Sequence, residues 1–118
     1  MHMVAVILLA DTGSLEGLGR AANALEAVKE FRDAGDRVRL IFDGAGTKWV
    51  GELENPDHRI HALYRAVKSE ITGACGFCAG AFGVGAELER GQVPLMAEYD
   101  GHPSYRKLVA AGYQVITF

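Results

Sequence analysis

A nearly unbroken apolar run near the amino terminus constrains the fold more than any other feature. Every residue from Met3 to Ala10 is apolar. A strand with one face in water alternates apolar and polar residues, whereas a strand of a parallel sheet is covered on both faces and is apolar throughout. Met3 to Ala10 therefore predicts a buried strand of a parallel sheet.

The segment after this strand changes to the apolar period of a helix. Its apolar residues recur at helical spacing and Gly35 is placed to end the helix; they are Leu18, Ala21, Ala22, Leu25, Val28 and Phe31. Further along the chain, extended patterns predict strands at 37–43, 72–77, 93–96 and 113–118.

The segments between these strands are mostly helical in pattern. They predict a loop at 43–47, a short helix at 48–53, a helix at 58–71, a glycine-interrupted helical stretch from 78 to about 91, and a last helix at 103–112. Strands that alternate with helices imply right-handed crossovers and a sheet sandwiched by helices. The predicted fold class is therefore α/β, with a mostly parallel five-stranded sheet.

The composition limits the partners. The 118 residues fit one domain spanning 1–118, and the net charge of −3 argues against a nucleic-acid partner, because phosphate binding needs clustered Lys and Arg. No apolar run approaches the roughly 20 residues that cross a bilayer, and no secretory signal is visible. We therefore predict a cytoplasmic protein with no membrane partner, in which two nearby cysteines are reactive or metal-binding rather than disulfide-bonded.

The two cysteines lie where a parallel sheet gathers its chemistry. Ligands bind at the carboxyl ends of such strands, and three loops meet that condition, at 11–17, 43–47 and 75–83. Cys78 is placed at the start of a helix, whose unpaired N–H groups stabilise a thiolate. Cys75 falls inside the predicted strand, where a cysteine serves packing as readily as chemistry. Both are candidate catalytic residues, and Cys78 is the favoured nucleophile.

The segment around the cysteines resembles a known family. Residues 74–84, Ala-Cys-Gly-Phe-Cys-Ala-Gly-Ala-Phe-Gly-Val, are similar to the Cys-Gly-x-Cys segment of the DsrE/DsrF-like family of sulfur-relay proteins. The opening strand, the helix rich in Ala and Leu, Asp43-Gly44 and the closing 112–115 are similar as well. The likeness therefore covers nearly the whole chain.

This resemblance implies a flavodoxin-like three-layer sandwich in which a cysteine carries sulfane sulfur as a persulfide. By position the acceptor is Cys78, with Cys75 as its neighbour. The resemblance also implies a homo-oligomer, a trimer or a hexamer, with sulfur donor and acceptor proteins as partners. We assign no cofactor and no metal, and whether the protein is an enzyme stays open, since a carrier need not turn over by itself.

Two other classes of function remain alternatives. One is a non-catalytic oligomeric interaction domain or small-ligand-binding domain. The other is a Cys-x-x-Cys thiol–disulfide protein. A thioredoxin-like dithiol would place its first cysteine as the nucleophile at the start of a long helix, whereas Cys75 falls within the predicted strand. Gly80, Gly83 and Gly85 would also weaken a long helix.

A zinc site is a further alternative. His58 and His61 precede Cys75 and Cys78 with the same spacing inside each pair, and together they match the ligand count of a Cys2His2 site. The histidines begin the predicted helix at 58–71, which would extend about 20 Å before the cysteine strand begins. That length places His58 far from Cys78 and disfavours this ligand set.

The loop after the first strand contains two further motifs. Asp11-Thr12-Gly13-Ser14 carries the tripeptide of aspartic proteases, but those enzymes need two carboxylates that share a proton, so a turn and helix cap is the prediction. Gly13, Gly17 and Gly19 with Arg20 could form a phosphate cradle, although their spacing matches neither a dinucleotide-binding pattern nor a P-loop.

Five remaining side chains complete the candidates. Asp43 and His102 are expected at the same edge of the sheet, in capping or turn roles. Trp49, Phe82 and Tyr99 are expected to pack in the core, with a subunit contact as the alternative.

Overall fold

All five predicted strands are present in a computed structural model, which describes residues 1–118. The strands are β1 (Met3–Leu8), β2 (Arg37–Phe42), β3 (Ile71–Cys75), β4 (Leu95–Met96) and β5 (Gln114–Thr117). They form one sheet in the order β4-β3-β2-β1-β5, and every pairing is parallel. The predicted five-stranded sheet is confirmed, and it is parallel throughout.

Six α-helices connect the strands. They are α1 (Leu15–Asp33), α2 (Trp49–Leu53), α3 (His61–Val67), α4 (Gly76–Ala81), α5 (Gly85–Arg90) and α6 (Tyr105–Ala110). Two 3-10 segments, Gly44–Lys48 and Lys68–Glu70, precede α2 and β3. The glycine-interrupted stretch is confirmed as two short helices, α4 and α5. None of these helices has the length and apolar character needed to cross a membrane.

Apolar side chains on the two faces of the sheet pack into separate clusters. On one face, Val4 and Val6 of β1 pack with residues of α1, α2, α3 and α5. On the other face, Ala5 and Ile7 pack with Leu108 of α6. The sheet is therefore the middle layer between helices, which confirms the flavodoxin-like three-layer sandwich.

The position of β1 explains its apolar sequence. It pairs with β2 on one side and β5 on the other, and residues 4–8 are at most 1% exposed. The predicted buried strand is confirmed for residues 3–8, whereas Leu9 and Ala10 lie beyond its end and Leu9 is 40% exposed. Because all strands run in the same direction, the segments that follow β1, β2 and β3 lie at one edge of the sheet, the carboxyl edge.

The predicted loop at 43–47 is instead a 3-10 segment that packs against the end of β1. A Cβ at Gly46 would lie 1.9 Å from the Leu8 carbonyl oxygen. Only glycine permits this approach, because any side chain would collide with the backbone. The Asp43 N–H also donates to the Leu8 carbonyl at 3.0 Å. These contacts hold Asp43 at the carboxyl edge.

The predicted helix at 58–71 is too long at both ends. The chain before His61 forms turns: the Asn55 carbonyl accepts the His58 N–H at 3.0 Å, and His58 Nδ1 accepts the Ile60 N–H at 3.2 Å. After α3 the chain tightens into a 3-10 turn and enters β3. A local backbone bond and a local side-chain bond therefore replace the first helical turn.

The strand predicted at 72–77 ends two residues early. β3 ends at Cys75, and α4 follows directly because the Phe77 N–H turns away from the sheet and donates to the Gly101 carbonyl at 2.9 Å. Cys75 is thus the last strand residue and also the N-cap of α4. Cys78, predicted at the strand-to-helix junction, lies within the first turn of the helix.

Candidate functional site

Four reactive side chains meet at the carboxyl edge of the sheet. Asp43 follows β2, Cys75 ends β3, Cys78 lies in α4, and His102 comes from the segment between β4 and α6. One ligand atom from each lies within 4.8 Å of all the others. The fold thereby brings both predicted cysteines together with the two polar residues that were expected at the same edge. We call these four residues the edge cluster.

Cys75 is the more deeply buried member of the cysteine pair. Its side chain is fully buried, and its Sγ accepts the Cys78 N–H at 3.3 Å and lies 3.3 Å from His102 Nδ1. Burial raises the pKa of the Cys75 thiol to about 12, and the nearby Asp43 carboxylate adds to the rise, although the Cys78 N–H acts in the opposite direction. Cys75 is therefore a protonated thiol at neutral pH.

Cys78 is the less deeply buried residue of the pair. It is 9% exposed, and its Sγ donates to Asp43 Oδ1 across 3.6 Å. The helix start acts on the other cysteine, because the Cys78 N–H points to Cys75 Sγ. The expectation that α4 places its free N–H groups on the Cys78 thiol is therefore wrong. A carboxylate, rather than a cation, is the charged group next to Cys78.

Asp43 is held rigidly on both carboxylate oxygens. Oδ1 accepts the Gly44 N–H at 2.8 Å, which makes Asp43 the N-cap of the 3-10 segment, and Oδ2 accepts the Tyr105 hydroxyl at 2.5 Å. Burial and the Asp43 charge raise the pKa of the Tyr105 hydroxyl above its ordinary value, so Tyr105 remains a hydrogen-bond donor. The predicted capping role of Asp43 is confirmed. The contact with Cys78 gives Asp43 a second role, and Tyr105 is a site residue that its sequence position did not reveal.

A tight turn positions His102. Tyr99 and His102 exchange backbone hydrogen bonds of 2.8 and 2.9 Å, and between them Asp100 and Gly101 have φ of 48° and 83°. Two successive positive φ angles define a type I′ turn, for which Asp-Gly is a favoured pair. The Phe77 ring packs on the His102 ring, with the two centroids 4.7 Å apart. The Asp-Gly pair was the sequence signal that could have predicted this turn.

The surface beside the edge cluster is aromatic. Tyr99 and Phe82 are 68% and 44% exposed, so the prediction that they pack in the core is wrong. Trp49 is fully buried and its Nε1 donates to the Ala10 carbonyl at 2.8 Å, so its predicted core role is confirmed. A cavity of about 570 Å³ adjoins the cluster; its lining residues are Tyr99, Asp100, His102, Pro103, Ser104, Tyr105 and Arg106.

The two histidines of the alternative zinc set lie outside the edge cluster. His58 packs edge-on against Trp49, with centroids 6.2 Å apart, and its Nε2 lies 3.8 Å from a Glu52 oxygen. His61 Nδ1 lies 2.6 Å from the Leu53 carbonyl oxygen. Both rings contact α2, and neither belongs to the group of ligand atoms around the cysteines.

The polar groups of the loop at 11–17 bond to other groups of the protein. Ser14 caps α1 by accepting the Gly17 N–H at 3.0 Å, so the predicted helix cap is confirmed. A Cβ at Gly17 would lie 2.1 Å from the Asp11 carbonyl oxygen, so this glycine serves a close approach of the chain to itself. Arg20 pairs with Glu16 on the same helix, and Asp11 pairs with a lysine rather than with a second carboxylate.

Comparisons with known proteins identify relatives without a recorded activity. No protein-family model matches the chain. The chain is 30% identical over 87 residues to the uncharacterized protein MJ0733 from Methanocaldococcus jannaschii, an alignment that covers 74% of this chain and 70% of the relative. A solved structure of BT1422, a conserved protein of unknown function from Bacteroides thetaiotaomicron, superposes with a TM-score of 0.65 over 97% of this chain and 93% of that chain. At 15% identity, this second likeness concerns the fold alone.

Proposed function

The chain belongs to the same family as the Methanocaldococcus jannaschii protein, and we propose that it carries sulfane sulfur as a persulfide on Cys78. The resemblance of its cysteine segment to the DsrE/DsrF-like family supports this proposal. The observation that carries it is local: the Cys78 thiol donates to the Asp43 carboxylate, which can take its proton, and Cys78 is 9% exposed as a residue whereas Cys75 is 0% exposed.

The transfer is a nucleophilic exchange between sulfur atoms. Cys78 Sγ attacks the terminal sulfur of a donor persulfide, R–S–S–H. The donor S–S bond breaks as a new S–S bond forms on Cys78. The proton that leaves the Cys78 thiol passes to Asp43 and then to the departing donor sulfur, which becomes a thiol. Sulfur is moved with no net oxidation or reduction, so no cofactor is required.

The aromatic surface suits a partner that brings or receives the sulfur. Phe77, Phe82 and Tyr99 are exposed. Phe77 packs on the His102 ring, Phe82 caps the helix that contains Cys78, and Tyr99 pairs with His102. Aromatic side chains are enriched at protein interfaces. On this proposal the donor and acceptor proteins bind here, in the cytoplasm, and the chain itself assembles as a trimer or hexamer. Sedimentation velocity measures the subunit number, and a monomer at all concentrations would contradict the assembly.

The proposal is tested by intact-mass spectrometry after incubation with polysulfide. The wild-type protein, reduced and freed of metal by a chelator, should gain one sulfur atom per chain. Cys78→Ser should gain none, and Cys75→Ser should gain one because the proposed acceptor, Cys78, is still present. His61→Gln serves as a control outside the edge cluster and should load like the wild type. A sulfur gain that persists in Cys78→Ser would overturn the assignment.

The proximity of the two sulfurs favours one second candidate, a thiol–disulfide protein. Both cysteines are free, and their sulfurs lie within 4.8 Å of each other. The first cysteine is the more deeply buried residue of the two, whereas a thioredoxin-like dithiol requires an accessible first cysteine as its nucleophile. The same mass measurement distinguishes the two functions, because a disulfide lowers the mass by two hydrogen atoms and requires both cysteines.

A further inference from the structure

We propose that the edge cluster binds a thiophilic divalent metal ion, and that the ion its donors suit best is Zn²⁺. The four candidate ligands are the sulfurs of Cys75 and Cys78, the Nδ1 nitrogen of His102 and a carboxylate oxygen of Asp43. This site differs from the Cys2His2 set suggested by the sequence, because the fold replaces both histidines of that set with Asp43 and His102.

The distances between donor atoms are close to those of a tetrahedral site. With Zn–S of about 2.3 Å and Zn–N or Zn–O of about 2.0–2.2 Å, ligand atoms stand about 3.4–3.8 Å apart. Cys75 Sγ lies 3.3 Å from His102 Nδ1, and Cys78 Sγ lies 3.6 Å from Asp43 Oδ1. The remaining pairs are within 4.8 Å. An ion at the centre therefore requires the two halves of the cluster to close by at most about 1 Å.

The kind of donor selects the ion. Hard cations such as Mg²⁺ and Ca²⁺ take oxygen ligands, whereas two thiolates and an imidazole suit Zn²⁺ and its neighbours among the transition metals. The ligands are also held in place by other groups. Tyr105 and the Gly44 N–H fix the Asp43 carboxylate, and the Cys78 N–H bonds to Cys75 Sγ. Phe77 packs against the His102 ring.

The charge of the Asp43 carboxylate supports the same conclusion independently. Asp43 is 7% exposed, and it takes part in none of the ion pairs of the molecule. Its contacts are a hydroxyl, a backbone N–H and a thiol. A buried carboxylate without a cation is costly unless another positive charge compensates it. A divalent cation bound by Asp43 supplies the positive charge that no side chain supplies there.

The inference goes beyond the proposed sulfur relay and shares one atom with it. A metal ion coordinated by Cys78 Sγ occupies the lone pair that would attack a persulfide. Metal binding and sulfur loading should therefore exclude each other, and saturating Zn²⁺ should prevent the gain of sulfur by the wild-type protein.

Co²⁺ is the probe for the test, because tetrahedral cobalt thiolates absorb in the visible and near-ultraviolet ranges. The full chain, kept reduced by a phosphine, is titrated with Co²⁺ in the absence of any sulfur donor. One equivalent per chain should produce thiolate-to-cobalt absorption, and one equivalent of Zn²⁺ should remove it. Cys75→Ser and Cys78→Ser each keep one thiolate, so each should bind cobalt more weakly and show a weaker thiolate band, with circular dichroism confirming that they fold.

Three further variants separate the ligands from their surroundings. Asp43→Asn should weaken cobalt binding, and Tyr105→Phe should weaken it by about 10- to 100-fold, because Tyr105 holds a ligand without being one. His58→Gln, a matched histidine outside the cluster, should bind cobalt like the wild type. The inference is overturned if the wild type shows no thiolate band, or if the band is unchanged in Cys78→Ser.

Failure of this inference is distinguishable from failure of the proposed function. Cobalt binding is measured without a sulfur donor, and sulfur loading is measured in the presence of a chelator. Cobalt binding without sulfur loading would support the metal site and contradict the sulfur relay. Sulfur loading without cobalt binding would support the sulfur relay and contradict the metal site.

Discussion

Two tyrosine–carboxylate pairs lie in different regions of the molecule. Tyr64 donates to Glu54 at 2.6 Å between α3 and the end of α2, and Tyr105 donates to Asp43 at 2.5 Å at the carboxyl edge of the sheet. Glu54 also binds Lys68 at 2.6 Å, whereas Asp43 has no cation and faces Cys78 instead. The first carboxylate is neutralised and stabilises the fold. The Asp43 carboxylate has no cation to compensate its charge and lies beside a thiol, which is the arrangement expected of a functional group.

The largest expected effect comes from removing the charge at the edge cluster. Asp43→Asn keeps the size of the side chain and an acceptor for Tyr105, but it cannot take the Cys78 proton. General bases contribute about 10²- to 10⁴-fold to rates, so sulfur loading should slow by about 100-fold or more. Time-resolved mass spectrometry measures the rate.

The control for this variant is Glu54→Gln, the same change at the other pair. It should load sulfur at the wild-type rate, because Glu54 contacts Tyr64 and Lys68 rather than a thiol. Equal slowing in both variants would mean that the two carboxylates affect loading only through stability.

The next effect is on stability, and it is larger at the Tyr64–Glu54 pair, which we call the structural pair. Tyr64 is fully buried, whereas Tyr105 is 39% exposed. Hydrogen bonds to charged groups contribute about 1.5–3 kcal/mol when water cannot replace them. Tyr64→Phe should lower the free energy of unfolding by about that amount in urea denaturation, and Tyr105→Phe by about 1 kcal/mol or less. A larger loss for Tyr105→Phe would reverse the roles assigned to the two pairs.

A smaller effect is expected from the turn that leads to Tyr105. Gly101 has φ of 83°, and a Cβ there would lie 3.4 Å from the Phe77 Cβ. Gly101→Ala should cost about 1–2 kcal/mol, since residues with a side chain are strained at positive φ. Thermal unfolding measures the loss.

The matched control for the turn is Gly85→Ala, where a Cβ meets nothing within 4 Å. Its stability should be unchanged or slightly raised, because alanine is the better helix former. An unchanged stability in Gly101→Ala would show that the turn tolerates a side chain and would contradict the strain assigned to its positive φ.

The elements predicted best are those whose pattern is local. Met3 to Ala10 predicted β1 because a strand that is buried on both faces consists of a continuous run of apolar residues. The end of β3 was placed two residues late because it depends on a hydrogen bond from Phe77 to Gly101, which is distant in sequence. No local pattern contains that bond.

The sequence predicted four residues of the candidate site and missed a fifth. Cys75, Cys78, Asp43 and His102 were expected near one edge, because residues after parallel strands meet there. Tyr105 was missed because it is the first residue of α6, and only the Asp100-Gly101 turn brings that helix start to Asp43. The histidine pair has the spacing of the cysteine pair, but His58 and His61 bond to nearby backbone groups. Spacing alone therefore does not identify a metal site.

The smallest expected effect is the acid dependence of the structural pair. Partial burial raises the pKa of Glu54, but the bonds from Lys68 and Tyr64 outweigh it and hold the pKa below the ordinary value of 4.5. The stabilisation is therefore complete above pH 4.5 and is lost as the pH falls through the folded-state value. Glu54→Gln should cost about 1 kcal/mol or less at pH 7, because the pair is partly exposed.

The difference between Glu54→Gln and the wild type should then shrink as the pH is lowered below 4.5 in urea titrations. Glu16→Gln is the control, since the Glu16 side chain is 76% exposed in its pair with Arg20 and should show almost no difference at any pH. A difference that widens towards acid would mean that the folded state favours protonated Glu54. Lys68 would then not compensate the charge of Glu54. The presence of a cation would no longer distinguish the Tyr64–Glu54 pair from the Tyr105–Asp43 pair.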